Sequence, residues 1–135
     1  MLPPAFQTCL LPELADERAP DGSEIRRLCS TERGSLVHVA LAPGQVSRAV
    51  AHRSVEELWY FLTGRGELWR SLGGEEEVVP VSAGVAVSLP VGTEFQFRAL
   101  GAEWLTVVCV TMPPWPGDAE ALSRAGPWPA QEGPR

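Results

Sequence analysis

His52 and Glu57 are the residues of this chain whose types and spacing can move a proton. An imidazole titrates near neutrality; a carboxylate beside it raises its pKa and apolar surroundings lower it. That balance can hold a group where proton transfer is effective. Residues two apart in a strand share a face. Arg48, Val50, His52 and Ser54 would therefore look one way, as would Glu57, Trp59 and Phe61 on the next strand and Phe95, Phe97 and Ala99 on a later one. The pair has two readings, a buried hydrogen-bonded relic or an acid/base couple. Arg48 also has two. It is a solvated arginine at a strand start, or a guanidinium that grips a ligand carboxylate or phosphate bidentately.

The elements that must position these residues read as short strands at regular spacing, the signature of an all-β barrel or sandwich. Strand character is expected near Ser23–Cys29, Ser35–Ala42, Ser47–His52, Glu57–Thr63, Glu67–Ser71, Glu76–Val81, Val85–Leu89, Glu94–Leu100 and Glu103–Thr111. Turn residues separate them, among them Pro43-Gly44, Gly64-Arg65-Gly66, Gly73-Gly74 and Pro90-Val91-Gly92. The glycines are expected to serve the turns. Residues 1–22 read as an irregular, proline-rich segment with a turn of helix near Pro12 to Arg18. Residues 23–112 read as the barrel. Residues 113–135 read as a proline-rich tail in which Asp118 caps a short helix from Ala119 to Arg124. Trp115 and Trp128 either anchor that tail back on the barrel, the preferred reading, or dock it on another subunit. The last few residues are expected to be disordered.

Gly44, His52, Glu57 and Gly64 follow the spacing of the first motif of the cupin family, and Gly84, Pro90 and Gly92 that of the second. The string from Glu56 through Leu58-Trp59-Tyr60-Phe61-Leu62-Thr63-Gly64 to Glu67 is similar to a cupin stretch as well. Over about residues 35–111 the chain thus resembles a cupin, which implies a double-stranded β-helix, or jelly-roll, barrel. The resemblance also implies a pocket with an apolar wall of Val50, Trp59, Phe61, Phe95 and Phe97, polar groups His52 and Glu57, and Arg48 toward the mouth. Cupins place metal ligands at four positions, and here Val50 and Phe95 stand at two of them. Neither side chain has a lone pair to donate, so the site is expected to bind metal weakly or not at all. His38 is the candidate replacement. If it faced inward, His38, His52 and Glu57 would form a two-histidine, one-carboxylate set for iron, zinc, manganese or nickel. Its strand is apolar on both faces, so a packed structural histidine fits equally with the pattern.

The length of 135 residues suits one domain, and nearly half the residues are apolar. A net charge of −6 with no basic run argues against nucleic acid. No apolar stretch approaches the roughly 20 residues needed to cross a bilayer. The N-terminus lacks the regions of a signal peptide, so a cytoplasmic location is expected. Cys9, Cys29 and Cys109 form no CxxC pair and read as small apolar residues rather than a disulfide framework.

Three functions compete on these residues. The first is a small-molecule enzyme of isomerase, cyclase, epimerase or dehydratase type, working without metal on an apolar or aromatic substrate. The second is a binding or sensor module that needs the pocket alone. The third is a metalloenzyme with His38 as replacement ligand. A homodimer is expected, built on the early strand and the exposed-looking Tyr60 and Trp69.

Overall fold

Residues 105–112 show why this sequence makes a barrel of strands. Leu105, Val107, Cys109 and Thr111 are buried while their neighbours are half exposed, a period of two that suits one face against a core. The computed structural model describes residues 5–131. Eleven strands are present among them: β1 (Glu17–Arg18), β2 (Glu24–Ser30), β3 (Ser35–Leu41), β4 (Val50–His52), β5 (Glu56–Thr63), β6 (Arg65–Leu72), β7 (Glu75–Ser82), β8 (Ala86–Leu89), β9 (Glu94–Leu100), β10 (Leu105–Met112) and β11 (Ala121–Ser123).

They form two antiparallel sheets, ordered β1-β2-β3-β10-β5-β8 and β11-β4-β9-β6-β7. The sheets close face to face as a double-stranded β-helix. Between them lie Leu41, Phe61, Leu68, Phe97, Leu105 and Val107, all fully buried. From β3 to β6 the chain crosses between the sheets at each step, so β4 and β5 come from opposite walls. His52 and Glu57, neighbours in sequence, therefore approach each other across the barrel.

The two ends differ from the sequence expectation. No helical turn forms between Pro12 and Arg18; that segment bends into β1, which pairs with β2. Arg26 holds it by donating to the Pro12 and Glu13 carbonyls at 2.8 Å each. In the tail the expected helix is a single 3₁₀ turn, Asp118–Glu120, without a side-chain cap. The chain then extends as β11 and pairs with β4, placing Ala121 opposite His52. Edge pairing on β4 satisfies backbone groups that a three-residue helix would have left unpaired. The last four residues, expected to be disordered, lie outside the described ones. Trp69 is buried rather than exposed, and its indole donates to Glu76 at 2.7 Å.

The two glycines of the β5–β6 turn are there for different reasons. Gly64 has φ +77°, where glycine is favoured. Gly66 has no positive φ; it lies where β6 meets β9, opposite Ala99. A Cβ on Gly66 would stand 2.1 Å from the Arg98 carbonyl oxygen and 2.9 Å from Leu105. Backbone cannot yield as a flexible side chain can, so Gly66→Ala should destabilise the fold by about 1–3 kcal/mol. Chemical denaturation measures it, and an unchanged midpoint would contradict the close approach.

Candidate functional site

The site starts from strand parity. On β4, Val50 and His52 point inward; on β5, Glu57, Trp59 and Phe61 do so with outward Leu58, Tyr60 and Leu62 between them. On β9, Phe95, Phe97 and Ala99 are buried. Val50 pairs with Phe95, which sets the two motif strands side by side. Inside the barrel the Trp59 ring packs edge-on against Phe97, Phe95 and Phe61, at centroid distances of 5.0, 5.5 and 6.0 Å. Such T-shaped pairs fix ring orientation. The indole N–H of Trp59 is thereby aimed at Glu57, donating to Oε1 at 3.1 Å.

His52 Nδ1 stands 3.7 Å from that same oxygen, close enough for an ion pair but too long for a hydrogen bond. Burial pushes the two groups toward their neutral forms. It lowers the His52 pKa to about 4, the charge of Glu120 pulling the other way. It raises the Glu57 pKa to about 7, reinforced by the negative charge of Asp21 and opposed by the Trp59 hydrogen bond. Between those values the pair is a neutral imidazole beside a protonated carboxyl, not an ion pair. Because Oε1 accepts from Trp59, the acid proton belongs on Oε2.

The pair opens on a cavity of about 610 Å³. Val50, Trp59 and Phe95 form its inner wall, and β2, β3 and the turn before β2 form one side. The tail closes the other side with Pro114, Trp115 and Pro116. Trp115 packs edge-on against the His52 ring at 4.9 Å, and Phe95 does so at 5.2 Å. Glu120 locks the tail down. Its carboxylate accepts from the Ser54 and Val55 amides and the Ser54 hydroxyl. Burial pushes the Glu120 pKa up, but these bonds and the nearby His52 outweigh it and hold it below the usual range. Trp128 anchors the tail further along, under the Arg98 guanidinium at 4.1 Å and on Gln96 through its own backbone. The tail thus folds back on its own barrel.

His52, Glu57, Val50, Trp59 and Phe95 are brought together at the cavity as the sequence suggests. Phe61 and Phe97 are not at the cavity; fully buried behind Trp59, they seat its ring. Arg48 is outside it as well. Exposed on the loop before β4, its guanidinium reaches the Pro20 carbonyl at 3.4 Å. The alternation on which it was placed inward begins only at Val50, where β4 begins. His38 is on the opposite face of β3, because Val37, Val39 and Leu41 take the core side. Its Nδ1 is buried without a partner among the described residues. Burial, with help from Arg26, lowers its pKa.

A metal in the family's position would have His52 and Glu57 as donors and carbon side chains at the two other places. Among the described residues no three His, Cys, Asp or Glu side chains converge where they could hold a metal ion. The donor set does not fit one.

Asp21 and Trp115 are site residues that sequence reasoning missed as such. Asp21 stood in a Pro-Asp-Gly turn and Trp115 in a tail, and neither position declares which part of the barrel it will face. Asp21 accepts from the Ser23 amide at 2.9 Å and hydroxyl at 2.6 Å, and burial raises its pKa against those bonds.

Residues 37–111 match the family model of the cupin domain. The chain belongs to the cupin family. Solved structures agree on the fold. A conserved protein from Klebsiella pneumoniae with a double-stranded β-helix domain aligns at 20% identity over 81% of this chain and 90% of its own, TM-score 0.63. A predicted oxalate decarboxylase from Thermotoga maritima aligns at 21% identity over 78% and 99%, TM-score 0.62. A mutant of Bacillus subtilis oxalate decarboxylase aligns at 17% identity over 90% of this chain but 35% of its own, TM-score 0.69. At these identities the likeness is one of fold. No curated protein matches the sequence.

The buried carboxyl of this cupin has a consequence for stability. A Glu57 pKa raised from 4.5 to about 7 means the folded state holds a proton that the unfolded chain releases. Its favourable contribution is complete below the unfolded pKa and is lost as pH rises through about 7. Glu57→Gln keeps an acceptor for Trp59 and has no charge to bury. Relative to the parent, it should gain up to about 3 kcal/mol between pH 5 and 8. Denaturant melts of both proteins at several pH values measure this; parallel curves would show that Glu57 is not a buried acid.

Proposed function

We propose that this cupin binds a small, largely apolar or aromatic molecule in the barrel and moves a proton on it without a metal. Glu57 serves as acid and His52 as base. The observation that carries this reading is the neutral pair itself: a carboxyl with a pKa of about 7 and an imidazole with a pKa of about 4, both facing the cavity. An acid and a base that stay in the right forms over one pH range are what isomerisation, epimerisation or dehydration requires. Trp59 keeps the acid proton on the oxygen that can face a ligand. Phe95 and Trp115 keep water from His52 and orient its ring. The substrate enters beside the tail, and the aromatic edges favour a planar or hydrocarbon body.

The pH dependence follows from the two forms. His52 accepts a proton only above about 4, and Glu57 donates one only below about 7. The profile of kcat/KM should be a bell with limbs near those values. Deuterium wash-in from D2O into a panel of enolisable aryl ketones, followed by NMR, is a direct assay. Replacing His52 by Ala should lower the exchange rate by about 10²–10⁴-fold and leave the fold intact by circular dichroism. Exchange unchanged in that variant would sink the acid/base reading and leave binding alone.

A further inference from the structure

The charges around the cavity are lopsided. Glu17, Asp21, Glu57 and Asp118 line it, and Arg27 is the one lysine or arginine among the described residues that does. Arg27 is already taken: its guanidinium is 2.6 Å from Glu17, and its backbone amide donates to Asp16. Arg48, which a carboxylate ligand would have needed at the mouth, is outside the lining. Among the described residues, an anion entering here would meet carboxylates and no free cation in the lining. A neutral ligand would leave the rim charges without a counterpart.

A second observation points to a ligand independently of the acids. His52 is about nine-tenths buried and faces the cavity, its ring nitrogens make no hydrogen bond among the described residues, and Glu57 Oε1 stands 3.7 Å from Nδ1. A neutral imidazole in that position offers a lone pair inward. Around it, Trp59, Phe95 and Trp115 supply three aromatic rings on the cavity wall. Aromatic faces next to carboxylates make a recognised environment for ammonium groups.

We propose that the cavity selects an organic cation: a protonated or quaternary amine whose head sits at the acidic rim between Asp21, Asp118 and Trp115, with its apolar body inside toward His52 and Glu57. The inference rests on the reading of the cavity as a small-molecule site and adds the ligand's charge. Asp21 supplies a carboxyl oriented by Ser23, with the charge of Arg48 acting on it from outside the lining. Asp118 supplies another from the tail that also carries Trp115.

Three probes that share a phenyl ring and differ in charge test this: benzyltrimethylammonium, benzyl alcohol and benzoate, each titrated into the protein at low salt and followed by tryptophan fluorescence. The ammonium should bind about tenfold more tightly than the alcohol, and benzoate more weakly than either. Asp118→Asn, an exposed and structurally safe change, should shrink the ammonium's advantage; Asp21→Asn should do so further. Trp115→Ala should weaken the ammonium more than the alcohol. Equal or tighter binding of the alcohol or benzoate would overturn the cationic class while leaving the cavity a binding site. Binding of none of the three would overturn both.

Discussion

The structure turns on one buried carboxyl. Glu57 has 7% exposure in a barrel whose inner wall is aromatic, and among the described residues a single neutral N–H, that of Trp59, reaches it. An ionised carboxylate in such surroundings is costly without several donors or a cation beside it. The described residues supply neither, and burial raises the pKa to about 7 so that the group keeps its proton below that pH. Much of the barrel's interior serves that outcome. Phe61 and Phe97 never meet a ligand, yet they hold Trp59 so that its indole aims at Oε1 rather than at the cavity.

The tail is the second half of the design. Trp115 covers the His52 ring, and so the tail supplies part of the burial that lowers the imidazole pKa. Glu120 is the point at which tail and barrel join, because its carboxylate takes two amides and a hydroxyl that the loop after β4 would otherwise leave unpaired. Its charge favours protonated His52, but the burial supplied by Trp115 and Phe95 outweighs that pull. The tail thus contributes one influence of each sign to the same histidine, and the desolvating one prevails.

The barrel was legible from the sequence because its signals are local: alternation along β5, β9 and β10, and glycine or proline between strands. The inward set of Val50, His52, Glu57, Trp59 and Phe95 was legible for the same reason. What escaped has a different origin. β1 and β11 are strands of two and three residues, set by edge partners distant in the chain rather than by their own composition. Arg48 was placed by extending an alternation past the true start of β4. His38 lies between valines on a strand apolar on both faces, where parity has no preferred sign until the core decides. Asp21 and Trp115 reach the site through loops, whose direction no periodicity encodes.

The loss of ligands and the character of the acid have a common cause. A metal ion at the family's position would hold Glu57 ionised and His52 as a neutral donor. Val50 and Phe95 supply no lone pairs, and they are 4% and 2% exposed, so they also desolvate whatever stands between them. Removing the cation raises the carboxyl pKa; adding the hydrocarbon raises it again. The same two side chains that dismantle a coordination site therefore build a protonated carboxyl near neutrality. His52 keeps its neutral form because burial outweighs the charge of Glu120. The positions aimed at the cavity thus hold a protonated carboxyl and a neutral imidazole where a coordination site would need further donors.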